Sequence, residues 1–157
     1  MESDDQVMVA LLPIMSDWAN IEFPHLTLVY AGRKSELSPS DMDGLAKAAF
    51  AIAMMGTPIT LRTLTKDVFG EGTDDSPKVD VLRFHPNLAL LKMWNTVKEW
   101  NASDFDYEPH LTVGPEGTWD SKSSPVMVAF DVVCFCVGNE RQEFRMSRRP
   151  DGDDYVY

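Results

Sequence analysis

One tetrapeptide occurs twice in this chain and holds the residues best suited to chemistry: Pro24-His25-Leu26-Thr27 and Pro109-His110-Leu111-Thr112. The protein has 3 histidines, and the two copies account for all but His85. Each copy lies in a short apolar run, 23–30 and 107–113, that reads as a strand. Residues two apart on a strand share a face, so each histidine shares its face with its own threonine. Imidazole, with an ordinary pKa of about 6.5, lets one of a pair accept a proton while the other donates one. Cleavage of a phosphodiester needs that division of labour. A base deprotonates the attacking oxygen, an acid protonates the departing one, and the hydroxyls of Thr27 and Thr112 can donate to the non-bridging oxygens as they gain charge. A lone His-x-Thr on a strand would carry little weight, because strands favour threonine anyway. Its duplication, behind a proline each time, gives it weight.

The elements that must position these residues follow from hydropathy patterning. An apolar run at 7–12, closed by Pro13, reads as a buried strand, and the first motif strand ends at Ala31-Gly32. Ser38-Pro39-Ser40-Asp41 has the form of a helix start, and Met42, Leu45, Ala49 and Ile52 recur at helical spacing until Gly56-Thr57-Pro58. Runs 59–69 and 79–84 are strand-like and are joined by a polar turn segment. A second helix is predicted from about Pro86, with Leu90, Met93 or Trp94, Val97 and Trp100 on its apolar face. After the second motif strand comes a Gly/Pro/Ser loop, 114–125. Then follow a central strand over 126–137, expected to be buried on both faces, and a strand over 142–147 with Phe144 and Met146 inward. Residues 148–157 form a polar tail. The order implies one α+β domain over 1–157, core about 7–147, with helices packed outside a mostly antiparallel sheet. One motif per half suggests two lobes related by a rough internal two-fold.

The net charge of −11, from 14 basic and 25 acidic residues, argues against long nucleic acid as a partner, since gripping it takes a surplus of lysine and arginine. Compact anionic ligands remain. No apolar run reaches membrane-spanning length, and the first five residues are acidic where a secretory signal would be basic, so a cytosolic location is expected. Cys134 and Cys136, two apart on one strand, are expected as buried thiols, neither disulfide-bonded nor metal-bound. Two histidines with no acidic cluster on their strands make a poor metal site, and no cofactor is expected. Gly70 and Gly72 lack the Lys-Ser/Thr of a P-loop and read as turn residues. Asp151-Gly152-Asp153-Asp154 lacks the closing Glu of a calcium loop. His85 reads as a surface or capping residue at the second helix, and Met42, Met54, Met55 and Trp94 read as core. Arg33, Arg62, Arg83 and Arg141 are possible phosphate partners. Trp18, Tyr30, Tyr107 and Trp119 are the candidate stacking aromatics for a substrate base.

His25-Leu-Thr27-Leu28 and His110-Leu-Thr112-Val113, 85 residues apart, resemble the paired motifs of the 2H phosphoesterase superfamily. That superfamily includes 2′-5′ RNA ligase-like proteins, cyclic phosphodiesterases, and phage enzymes that degrade cyclic-nucleotide signals of bacterial immunity. The resemblance runs from about Val7 to Ser147. It implies two similar αβ lobes forming a concave, pseudo-two-fold sheet, with His25, Thr27, His110 and Thr112 as the active residues facing a central cleft. It departs in the short link 14–23, where many relatives have a helix. The function implied is metal-independent hydrolysis of the phosphodiester in a small cyclic nucleotide or cyclic oligonucleotide, with the host cytosol as its setting if the gene is a phage's. The alternatives are action on RNA ends, as in the 2′-5′ RNA ligase-like branch, or sequestration of a cyclic nucleotide without cleavage. Which histidine is base and which is acid stays open at this level, as do base specificity and oligomeric state.

Overall fold

Seven runs, some continuously apolar and others alternating, make seven strands, and two runs of helical spacing make two helices, in the predicted order. They are β1 (Gln6–Pro13), β2 (Leu26–Arg33), α1 (Pro39–Met55), β3 (Ile59–Phe69), β4 (Val79–Phe84), α2 (Leu88–Val97), β5 (His110–Pro115), β6 (Met127–Val137) and β7 (Glu140–Arg145). The structure, a computed structural model, describes residues 5–14, 18, 21–55, 58–74, 76–102 and 106–146, less the side chains of 55 and 123. The acidic tetrad at 151–154 and the readings of Met55 and the 148–157 tail fall outside these residues.

The strands pair antiparallel in the order β1-β2-β5-β4-β3-β6-β7, and β1 also pairs with β6. Six strands therefore form a closed circuit, with β7 added on β6. One edge of β6 takes β1 along most of its length. The other edge is shared, with β3 on Met127–Phe130 and β7 on Val132–Val137. This divides the sheet into two lobes. One holds β1, β2, β7 and the second half of β6; the other holds β3, β4, β5 and the first half. On the far side of the circuit the lobes meet through a single register pair, Leu26 with Leu111.

Both helices lie on one face of the sheet, α1 against β6 and α2 against β2. The period of two sends Leu26, Leu28, Leu82, Phe84, Leu111 and Phe130 into that layer, all at most 2% exposed. Leu45, Ala49 and Ile52 of α1 and Leu90, Met93 and Val97 of α2 fill it from the other side. α1 begins as predicted. The Asp41 amide donates to Ser38 Oγ at 3.0 Å and the Ser38 amide to the Asp41 carboxylate at 3.1 Å, a reciprocal cap. Gly44 sits inside α1 because a Cβ there would come within 2.8 Å of the Trp100 ring.

Two expectations need correction, and a third is decided between its alternatives. Met54 is 55% exposed, because it follows Leu45 by nine residues and so lies half a turn out of phase with the buried face. The cap of α2 is Asn87, whose Oδ1 accepts from the Leu90 amide at 2.9 Å; of the two places read for His85, surface or cap, it takes the surface, with its backbone amide donating to the Arg62 carbonyl at 2.9 Å. The central strand starts at Met127, which with Val126 is exposed, and it is buried on both faces only from Val133 to Cys136. Among the described residues no helix is long and apolar enough to cross a membrane.

Candidate active site

Leu26 and Leu111 face each other at the seam between the lobes, and both are fully buried. Carrying that antiparallel register one residue either way sets His25 opposite Thr112 and Thr27 opposite His110. All four then stand on the face away from the helices, and all four are half-buried there. The two motifs thus meet as a symmetric quartet, built from strands 85 residues apart in the chain.

The two imidazoles are held alike. His25 Nδ1 lies 2.8 Å from the Phe23 carbonyl and His110 Nδ1 lies 2.9 Å from the Glu108 carbonyl. A carbonyl oxygen only accepts, so each Nδ1 must carry the hydrogen and each Nε2 is the free nitrogen. Neutral, such a ring is a base at Nε2; charged, it is an acid there. Each ring also packs on a phenylalanine at a centroid distance of 4.6 Å, Phe23 nearly flat on His25 and Phe69 edge-on to His110. Phe23 thus fixes His25 twice, through its carbonyl and through its ring.

The hydroxyls are lightly engaged. Thr27 Oγ1 donates only to the Met8 thioether at 3.7 Å, a weak acceptor, and Thr112 Oγ1 has no protein partner among the described residues. Both are therefore available to an anionic oxygen.

Burial pushes the His25 pKa below the ordinary imidazole value, helped by the positive charges of His110 and Arg141 and partly opposed by the Phe23 carbonyl. His25 is accordingly held neutral in the folded state at pH 7. Its contribution to stability is fully present above the unfolded value of about 6.5, and it is lost as pH falls from there through the folded value. An NMR titration of the His25 ring is expected to give a midpoint below 6.5, and Phe23→Ala, which admits water, to move it up toward about 6.5.

Next to Thr27 and His110 opens a groove of about 760 Å³, walled by Tyr30, Phe69, Trp94 and Tyr107 with Glu71, Asp106 and Glu108 along it. Trp94 and Tyr107 stack at 5.3 Å, and the Tyr107 hydroxyl donates to the Thr27 carbonyl at 3.0 Å, bracing the two motif strands. Burial raises the Tyr107 phenol far above its ordinary pKa, so it stays a donor. Gly70 at the groove is a turn residue, as expected: φ is +110°, and a Cβ would run into the Pro77 carbonyl.

Of the sequence candidates, the structure brings Tyr30 and Tyr107 to this groove and leaves Trp18, Trp119 and Arg33 off its walls. Trp18 is 3% exposed and stacks on Trp119 at 6.3 Å. Trp119 is tied down by Asp80, a fully buried carboxylate that accepts from the Trp119 amide at 2.9 Å, the Gly117 amide at 3.1 Å and Lys66 Nζ at 3.4 Å. Those bonds, led by the Trp119 amide, hold the Asp80 carboxyl below its usual range against the cost of burial. Arg33 ends β2, exposed, near Asp5 at 3.9 Å. Phe69, Trp94 and Glu108 were not among the sequence candidates. Trp94 was read as core, but it is half-buried and walls the groove.

Cys134 and Cys136 are buried free thiols, as expected, with sulfurs 3.0 Å apart on one face of β6. Among the described residues no three His, Cys, Asp or Glu side chains are grouped to hold a metal.

An antiparallel sheet of two lobes, with a His-x-Thr strand from each meeting at its centre, defines the 2H phosphoesterase fold, and this chain has it. Solved structures with the same fold include Kluyveromyces marxianus Usb1, at 11% identity over 92% of this chain and 99% of that one, with a TM-score of 0.61. TT0787 of Thermus thermophilus matches at 12% identity, 91% and 100% coverage and a TM-score of 0.57. E. coli LigT complexed with ATP matches at 14% identity, 91% and 95% coverage and a TM-score of 0.56. No family model and no curated protein sequence matches the chain.

Proposed function

We propose that this protein is a phosphodiesterase that opens the phosphodiester of a small cyclic nucleotide or cyclic oligonucleotide by two-histidine acid–base catalysis, without a metal. The observation that carries this reading is the pair of imidazoles, each with Nδ1 tied to a carbonyl and Nε2 free, meeting at one seam beside two available hydroxyls. His25, kept neutral by burial, is the base. Its Nε2 takes the proton of the attacking water as the water oxygen bonds to phosphorus. His110 is the acid, and its Nε2 gives a proton to the departing oxygen as that P–O bond breaks. Thr27 and Thr112 donate to the non-bridging oxygens, which carry the developing charge.

The aromatic groove supports a nucleobase beside the scissile phosphate, since π faces accept any base by stacking. Its volume is within the usual range for a small-ligand site, roughly 300–1,000 Å³. The net charge of −11 favours a small ligand over long RNA. Removal of a cyclic-oligonucleotide immune signal, as in the phage enzymes whose motifs these resemble, is the biological setting we attach to it.

The test is a panel of 2′,3′-cyclic mononucleotides, cyclic di- and trinucleotides and short RNAs, incubated with the protein in EDTA. Turnover of a cyclic compound is expected; turnover only after metal is added overturns the mechanism, and tight binding without product favours sequestration. Thr27→Val and Thr112→Val should each lower kcat on the best substrate by roughly 10²–10³-fold, the loss typical of one oxyanion donor.

A further inference from the structure

The cations around the site are not equivalent. Arg83, opposite His110 in the β4–β5 register, is occupied by Asp67 at 3.5 Å and Glu108 at 4.0 Å, and Lys66 is occupied by Asp80. Arg141 has no carboxylate partner among the described residues, in a chain with 25 acids to offer one. Its place on β7 puts it in register with Cys136 of β6, which is in register with Met8 of β1. Met8 accepts the Thr27 hydroxyl, so this row belongs to the face that carries the motifs. The guanidinium lies over the Phe23 ring, 3.6 Å from its centre, and that same ring packs on His25. An aromatic ring under a guanidinium engages its flat face and leaves the N–H donors at its edge free, in the fork that matches a phosphate. Neither Phe23 nor Arg141 lines the aromatic groove, which opens beside Thr27 and His110. The quartet therefore has a base-sized slot on one side and an unoccupied fork on the other.

We propose that Arg141, seated on Phe23, binds a second phosphate of the substrate, so that the preferred substrate carries at least two phosphodiesters. This rests on the phosphodiesterase reading above and narrows it. A 2′,3′-cyclic mononucleotide fills the groove and the quartet only; a dinucleotide or cyclic oligonucleotide also reaches Arg141.

The test compares the unaltered protein, Arg141→Gln and Arg141→Lys on two compounds with the same scissile linkage: adenosine 2′,3′-cyclic phosphate, and the diadenosine dinucleotide ending in that cyclic phosphate. The unaltered protein should prefer the dinucleotide in kcat/KM. Arg141→Gln should reduce that preference by roughly 10- to 100-fold, the worth of hydrogen bonds to a charged group, and Arg141→Lys should restore part of it. Equal losses on both compounds would make Arg141 a support for His25 only and overturn the proposal; so would an unchanged preference. If the unaltered protein turns over neither compound, this terminal linkage is not the one it cuts, and equilibrium binding of the same pair decides the Arg141 proposal alone. A dinucleotide advantage that Arg141→Gln removes sustains it, and equal affinities sink it.

Discussion

Alanine at His25 or at His110 is expected to lower turnover by about 10²–10⁴-fold, the usual worth of a positioned acid or base. The two losses should not add. Once the base is gone, a poised acid has little to complete, so the double variant should sit close to the worse single one. The pH profiles should differ in kind. Loss of His25 removes the acid-side limb, which lies below the ordinary imidazole value because burial holds this ring neutral. Loss of His110 leaves the limb of His25 in place. Melting temperatures should change little beside the loss of rate, because both rings stand half-buried on the open face and neither fills the core. Steady-state kinetics across pH, with thermal melts of the same preparations, check all of this. Either single variant with full activity would end the two-histidine scheme.

Leu111→Ala is expected to cost about 2–5 kcal/mol of stability, the range for deleting a buried leucine. In a chain of this size that lowers Tm by roughly 5–20 °C. The residue is fully buried and forms the one register pair through which β2 and β5 touch. Its loss leaves a cavity directly beneath His110 and Thr112 and slackens the seam that sets one imidazole against the other. Activity at a temperature where the variant is still folded should therefore fall as well. Leu111→Met, close in volume, should cost less than about 1.5 kcal/mol and keep most of the rate. Circular dichroism melts paired with kinetics on the folded variants are the measurement. Full activity in folded Leu111→Ala would show that the seam does not need this contact for alignment.

Much of this was legible beforehand because it is local. Apolar runs and period-two patterning placed the strands, and helical spacing with the Ser38 and Asp41 cap placed α1. The His-x-Thr spacing alone put each imidazole and hydroxyl on one face. Phe23 was within reach of the same rule, being two residues before His25. Where patterning misled, the cause was depth. Trp18 and Trp119 are aromatic residues of the type that binds bases, but they stack on each other, and Trp18 is sealed in the core. Met54 looks like its neighbours in α1, and only its angle around the helix exposes it. His85 and Asn87 both stand before α2, and only backbone direction selects Asn87 as the cap.

The sequence by itself determined the chemistry: two imidazoles, two hydroxyls, their faces and the elements that carry them, because side-chain type and strand period are properties of a few consecutive residues. Only the tertiary structure decided that the two motif strands are neighbours, with Leu26 against Leu111, since pairing across 85 residues depends on how the whole sheet closes. It also set Phe69 beside His110, walled a groove with Trp94 and Tyr107, and seated Arg141 over Phe23 with no carboxylate partner among the described residues. Those contacts join residues from distant strands, and no local period encodes them.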